Sequence, residues 1–147
     1  EIIIIISFRR VWSFHEFKKR LPSFKLDINK YSFVVNAYVA ASKLKRNYDR
    51  IANLANFCSN FTAHNPDMAG YWMGAFRALC CSASQQTFGY THLTNLVDVS
   101  DCSTHYAIST FTVMLATKYC YAVPKMICEL LNNVFPTVMK KESGRTA

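Results

Sequence analysis

The sequence predicts a mainly α-helical fold, a bundle of four to five helices with a short extended arm at the N-terminus. The chain has 147 residues, of which 51% are hydrophobic and 14% aromatic, enough to bury the core of one domain. It contains only four Gly and four Pro, which leaves room for long uninterrupted helices. We therefore expect one helical domain over residues 1–147, with an extended arm at 1–8 and a flexible tail at 137–147.

The N-terminal segment combines an apolar run with a mixed aromatic and charged stretch. Five isoleucines at residues 2–6 favour an extended strand-like arm, because β-branched side chains are stiff at χ1 and fit strands. Residues 9–21 mix aromatic and basic side chains and end before Pro22, which predicts a short helix. An exposed isoleucine run would aggregate, so we expect the domain or a neighbouring subunit to cover it.

Residues 28–58 give the clearest helical pattern in the chain. Apolar residues recur there at steps of three and four, without any Gly or Pro. The residues that carry this pattern are Tyr31, Val34, Tyr38, Ala41, Leu44, Tyr48, Ile51, Ala55 and Cys58. The spacing predicts one continuous helix of about thirty residues.

Asn65, Pro66 and Asp67 predict the start of the next helix, with Asn as the cap and Pro at the first helical position. This helix should reach about residue 81, and a loop should follow at 82–90. Small residues at four-residue spacing predict a ridge that another backbone can approach closely. The ridge consists of Gly70, Gly74 and Ala78.

The C-terminal third predicts two further helices and one ambiguous segment. Residues 91–99 fit either a short helix or a strand. Asp101 or Ser103 can cap a helix that carries Ile108 and Phe111 on its apolar side. Residues 110–113 and 119–123 also favour strands, so this helix has a competing interpretation. Pro124 predicts the start of a last helix, which Pro136 would end.

Positive charge is concentrated at the start of the chain. Residues 1–50 hold eleven Lys and Arg against four Asp and Glu, a net charge of +7, out of +8 for the whole chain. Residues 51–134 have a net charge of −1. Such asymmetry favours binding of a polyanion at one end, although an anionic membrane surface or an acidic protein would suit it too.

Lys43, Arg46 and Arg50 are the first candidates for phosphate contacts, since spacings of three and four place them on one face of the predicted helix. A solvated basic face is the alternative interpretation. Basic residues interleaved with aromatic ones in residues 8–20 are the next candidates, because cations neutralise phosphates and exposed rings stack on unpaired bases. These are Arg9, Arg10, Lys18, Lys19 and Arg20.

No sequence motif points to a reaction. The chain has no phosphate-binding Gly-rich loop, no Gly-x-Ser-x-Gly, no Cys-x-x-Cys and no His pair at metal-ligand spacing. Residues 101–105 combine an acid, a thiol, a hydroxyl and an imidazole, but a helix cap explains this string equally well. We therefore expect no enzyme, no catalytic residues, no cofactor, no metal and no small-molecule substrate.

Six cysteines leave two interpretations open. Three disulfides would suit a secreted helical protein that acts on a receptor or an anionic membrane. Reduced, buried thiols are the favoured alternative, because Cys80 and Cys81 are adjacent and most of the six lie among apolar residues.

The pattern of Phe14, Phe17, Leu21, Phe24 and Leu26, followed by the long helix, resembles the opening of rod-shaped plant-virus coat proteins. The resemblance covers about thirty residues. It implies a four-helix bundle that polymerises around single-stranded RNA. Together with the basic first third, this leads us to expect a capsid or nucleocapsid-type protein. It would form a homo-oligomer around single-stranded nucleic acid and be found in the virion or the cytoplasm.

Overall fold

A computed structural model describes residues 27–80 and 93–134, and within these ranges it contains helices and no strand. The helices are α1 Asp27–Lys43, α2 Tyr48–His64, α3 Met68–Cys80, α4 Leu93–Leu96, α5 Cys102–Thr117 and α6 Val123–Glu129, followed by a π-helical turn Leu130–Val134. The predicted helical class is therefore confirmed. The predicted arm at 1–8, helix at 9–21, loop at 82–90 and tail at 137–147 lie outside the described residues.

The core is built around the indole of Trp72 on α3. Its ring centroid lies 6.3 Å from that of Phe33 and 6.0 Å from that of Tyr38, both on α1. It also lies 6.2 Å from the ring of Phe111 on α5 and 6.5 Å from that of Tyr121, which follows α5. All five side chains are buried. Edge-on ring contacts of this kind add to the free energy gained from burial, so the cluster holds α1, α3 and α5 together.

Polar groups inside this core form hydrogen bonds with one another. The indole N–H of Trp72 donates to Oγ1 of Thr62 at 2.9 Å, and the Thr62 hydroxyl donates to the Cys58 carbonyl at 2.8 Å. The hydroxyls of Tyr38 and Tyr121 also share a hydrogen bond. Every buried side-chain nitrogen and oxygen of the described residues has a partner. The core therefore pays no penalty for unsatisfied polar atoms.

The prediction of one continuous helix over residues 28–58 is wrong. Helix α1 ends at Lys43 because Lys45 adopts a left-handed conformation, with φ of +54°, which no α-helix can continue through. The backbone N–H of Asn47 donates to the Leu44 carbonyl at 3.0 Å, and its side chain accepts from the Arg50 N–H at 3.2 Å. Asn47 thus caps a new helix, α2.

The start of α3 lies two residues later than predicted. Asn65 ends α2 instead of capping α3, since its side-chain amide donates to the Phe61 carbonyl at 3.0 Å. Pro66 and Asp67 lie in the turn, and α3 begins at Met68. The small-residue ridge is also wrong at Gly70, because a Cβ there would meet no atom within 4 Å.

The capping role predicted for Asp101 is confirmed. Its carboxylate accepts from the Thr104 N–H at 2.9 Å, and α5 continues through residues 110–113, so the strand alternative there is wrong. Tyr119 ends the helix in a left-handed conformation, with φ of +63°, while the Cys120 N–H returns to the Leu115 carbonyl at 3.0 Å. Residues 119–122 therefore form a turn and Val123 begins α6, so the strand alternative for 119–123 is wrong. Pro124 is the second residue of α6, so this helix begins one residue earlier than predicted.

Candidate functional site

The cations predicted to share one helical face lie instead around the connection between α1 and α2. Lys43 is the last residue of α1, Arg46 belongs to the turn, and Arg50 lies in the first turn of α2. The shared helical face is therefore wrong, since the helix stops between them. All three side chains are exposed, as is that of Lys45. We call these four residues the basic turn.

Lys45 connects the basic turn to the start of α5. Its ammonium donates to Oγ1 of Thr104 at 2.9 Å and lies 3.3 Å from Oδ2 of Asp101. The Thr104 backbone N–H, its hydroxyl and Lys45 all hold the pKa of the Asp101 carboxyl below its ordinary value. The charge of Lys45 is therefore compensated within the molecule.

Arg46 stacks on Tyr106 of α5. Its guanidinium carbon lies 5.5 Å above the centroid of the Tyr106 ring, which is a cation–π contact. A guanidinium carries five N–H donors in a fork that suits a carboxylate or phosphate, and that of Arg46 is on an exposed side chain. Tyr106 itself is 36% exposed. The basic turn and α5 thus form one continuous surface.

The remaining predicted phosphate contacts lie outside the described residues. They are Arg9, Arg10, Lys18, Lys19 and Arg20. Their role stays a prediction, as does direct contact of Lys43, Arg46 and Arg50 with nucleic acid.

An apolar groove of about 280 Å³ lies between α3, α5 and α6. It is lined by Phe76, Leu79, Val99, His105, Ile108, Ser109, Thr112, Val113 and Met126, and we call it the apolar groove. Val113 is 61% exposed and Val99 is 37% exposed, so the groove opens to solvent. The sequence pattern did not predict this groove. Val113 falls outside the apolar stripe predicted for α5. A valine on the polar side of that helix was the one sequence feature that could have indicated an exposed apolar surface.

Helix α6 exposes a second apolar feature. Val123, Ile127 and Leu131 follow one another at four-residue steps and are 39%, 50% and 57% exposed. Residues with this spacing lie on one side of a helix, so they form a stripe along α6 and the turn after it. We call these three residues the α6 stripe.

The described residues provide little for chemistry. No group of three or more His, Cys, Asp or Glu side chains among them could hold a metal ion. In the described ranges, no helix has the length and apolar character needed to span a bilayer. Four of the cysteines in these ranges are free, namely Cys58, Cys102, Cys120 and Cys128. Cys58 and Cys120 are buried as predicted, whereas the exposed Cys102 and Cys128 contradict the expectation of burial.

Comparison with known proteins gives a specific result. The chain is 38% identical over 129 residues to a Caenorhabditis elegans protein named Mediator of RNA polymerase II transcription subunit 12, a match that covers 88% of the chain and 4% of that protein. The protein of the same name from Caenorhabditis briggsae is 40% identical over 122 residues, 81% of the chain and 3% of its own length. The human protein of that name is 34% identical over 99 residues, 67% of the chain and 4% of its own length.

No family model matches the chain. No solved structure matches it. The chain spans only a few per cent of the length of the curated relatives that it matches.

These relatives overturn the functional expectations. The resemblance to rod-shaped plant-virus coat proteins is wrong, because amphipathic helices of unrelated bundles share such an apolar pattern. The capsid function, the homo-oligomer around single-stranded RNA and the virion location are wrong for the same reason. The alternative of a secreted protein acting on a receptor or membrane is wrong too. Along most of its length, this chain is similar to one short segment of Mediator subunit 12 proteins.

Proposed function

We propose that the chain is a helical segment of a Mediator subunit 12-type protein, and that it serves as a non-enzymatic protein-interaction module in RNA polymerase II transcription. The observation that carries this proposal is the 38% identity over 129 residues to the Caenorhabditis elegans subunit. The names of the relatives describe a subunit of a transcription complex and no reaction. The module would act in the nucleus, with other Mediator subunits as its partners.

The surface of the bundle supports an interaction role. The Trp72 cluster gives the described helices a satisfied core, while the apolar groove and the α6 stripe keep large apolar side chains in contact with solvent. Contiguous exposed apolar surface is typical of protein-interaction sites. A rigid helical core with such a surface can hold neighbouring subunits in a fixed arrangement without any change of its own.

Sedimentation of the complete protein tests the proposal. The protein that contains this chain would be epitope-tagged at its own locus, and nuclear extract would be separated on a glycerol gradient. We expect the tagged protein to sediment with other Mediator subunits, identified by mass spectrometry. A tagged protein that sediments alone and is found outside the nucleus would contradict the proposal.

Substitutions on the α6 stripe test whether this segment makes the contacts. Ile127→Glu combined with Leu131→Glu places two charges where a partner would bury apolar surface, and we expect some Mediator subunits to leave the peak. Leu96→Glu on α4 is the control, since Leu96 is 56% exposed, as apolar as the stripe residues and part of a different helix. If the double variant and the control co-sediment with the same Mediator subunits, the α6 stripe is not a contact surface.

A further inference from the structure

We infer that the basic turn and the apolar groove together form one docking site for an acidic amphipathic peptide, contributed by a partner protein. This inference deepens the proposed function by naming the chemistry of a partner. It rests on how the two surfaces meet along the exposed side of α5.

Tyr106 and Val113 join the two surfaces. They are seven residues apart on α5, so they lie on the same side of the helix, about 10 Å apart along its axis. Tyr106 carries the guanidinium of Arg46 at one end, and Val113 forms part of the apolar groove at the other. Ser109 lies between them, is exposed, and also lines the groove. A peptide lying along this side of α5 would therefore contact cations first and apolar side chains next.

The positive charge of the basic turn determines which peptides can bind at this end of the docking site. The basic turn has four cations, and the nearby carboxylates of Asp49 and Asp101 leave a net charge of +2. Asp101 is engaged by Lys45, so Arg46 and its neighbours retain an excess of positive charge. Complementary potentials steer association and reject partners of the same sign, so the peptide should carry Asp or Glu at this end.

The volume of the apolar groove determines which side chains can bind at the other end of the docking site. A dry cavity of about 150 Å³ is large enough to bind benzene, so the apolar groove of about 280 Å³ has room for one or two apolar side chains. An amphipathic helix supplies such side chains at three- and four-residue spacing. The occupant is therefore a segment with apolar residues on one side and acidic residues at one end.

A protein partner fits these features better than a nucleic acid does. A single strand could place phosphates on the cations, but it has no aliphatic side chain for the apolar groove. Base stacking needs an aromatic face, and the guanidinium of Arg46 leaves at most one face of Tyr106 for it. The basic turn and the groove are used together only by an acidic peptide with apolar residues.

Fluorescence anisotropy with the 147-residue chain tests the inference. The probe is a labelled helical peptide of about fourteen residues, with Leu at every third and fourth position on one side and Glu elsewhere. A peptide with Lys in place of Glu and an oligouridine are run in parallel. We expect saturable binding of the acidic peptide only. Failure of the acidic peptide to bind, or tighter binding of oligouridine, would overturn the inference.

Single substitutions separate the two ends of the site. We expect Arg46→Glu and Val113→Glu each to weaken binding by about tenfold, which corresponds to about 1.4 kcal/mol. Lys118→Glu is the matched control for Arg46→Glu, since it makes the same charge change on an exposed residue beyond the far end of α5. Circular dichroism would confirm that each variant is folded. If Arg46→Glu and Val113→Glu bind the peptide as tightly as the parent, the inference is wrong.

The result is separable from the test of the proposed function. In the complete protein, Arg46→Glu should leave the bulk of Mediator co-sedimentation in place, because the α6 stripe is unchanged. If the protein co-sediments with Mediator but does not bind the peptide, only the inferred docking site is contradicted. Peptide binding by a protein that sediments alone would remove only the assignment to Mediator.

Discussion

Lys45 in the turn after α1 donates to the hydroxyl of Thr104 in the first turn of α5, at 2.9 Å, although the two residues are 59 positions apart. The Asp101 carboxylate, which caps α5, lies 3.3 Å from the same ammonium. The Asp101 carboxylate therefore has two roles. It accepts a hydrogen bond from a backbone N–H in the first turn of α5, and through Lys45 it stabilises the turn between α1 and α2.

Replacement of Asp101 tests this double role. Asp101→Ala removes both the acceptor for the Thr104 N–H and the charge near Lys45, whereas Asp101→Asn keeps an acceptor and removes the charge. We expect thermal unfolding, followed by circular dichroism, to give the lowest Tm for the Ala variant and an intermediate Tm for the Asn variant. Identical Tm values for Ala and Asn would mean that the side-chain cap contributes nothing.

The pH dependence of this effect has a defined sign. The hydrogen bond from the Thr104 backbone, followed by its hydroxyl and Lys45, lowers the pKa of Asp101 in the folded chain. A lowered pKa gives a stabilisation that is complete above the pKa of the unfolded chain and is lost as the pH falls through the folded value. The difference in Tm between the parent and Asp101→Asn should therefore shrink in acid.

Asn47→Ala should destabilise the domain by about 1 kcal/mol, because it removes the side-chain oxygen that accepts from the first turn of α2. Asn53→Ala provides the control, as Asn53 is exposed in the interior of the same helix and Ala is the better helix former there. The free energy of unfolding in urea measures both. Equal effects at the two positions would show that the cap at Asn47 is not formed in solution.

Thr62→Val should cost about 1–3 kcal/mol, because it leaves the buried indole N–H of Trp72 without its acceptor while the side-chain volume stays the same. Thr117→Val is the same chemical change at an exposed position, where the hydroxyl bonds the Met114 carbonyl, and should be close to neutral. Urea unfolding again gives the comparison. If Thr62→Val leaves the free energy of unfolding unchanged, this hydrogen bond does not stabilise the core.

Alkylation should distinguish the exposed Cys102 and Cys128 from the buried Cys58. Cys102 and Cys128 are exposed and should react with iodoacetamide in the native protein, whereas Cys58 should react only after unfolding. Burial, followed by the charge of Cys120, raises the pKa of Cys58 well above its ordinary value. Since the folded pKa is raised, stability should fall as the pH rises above the ordinary thiol value. Peptide-level mass spectrometry measures the labelling, and rapid labelling of Cys58 in folded protein would contradict it.

The sequence was sufficient for the helical class, and it reduced the cap of α5 to Asp101 or Ser103, because both depend on local chemistry. It was not sufficient for the break after α1. No Gly or Pro marks that point, and Lys45 holds its left-handed φ with support from Thr104, a residue far along the chain. Asn65 was misassigned for a different reason, since its amide bonds backwards to Phe61. A tertiary contact therefore decided the break after α1, whereas a local side-chain hydrogen bond decided the role of Asn65.

The candidate site was only partly predictable. The cations of the basic turn are visible in the sequence, but the cation–π contact between Arg46 and Tyr106 joins the turn after α1 to α5. The apolar groove depends on how α3, α5 and α6 pack, which no periodicity specifies. The function was misjudged because net charge indicates a polyanion or an acidic surface without deciding which.

The Trp72 cluster also determines when this domain can fold during synthesis. Its rings come from Phe33, Tyr38, Phe111 and Tyr121, so the contacts extend over nearly ninety positions of the chain. A nascent chain therefore cannot close this core before Tyr121 has left the ribosome. Until then α1 and α3 expose their aromatic side chains, which makes the unfinished segment prone to aggregation.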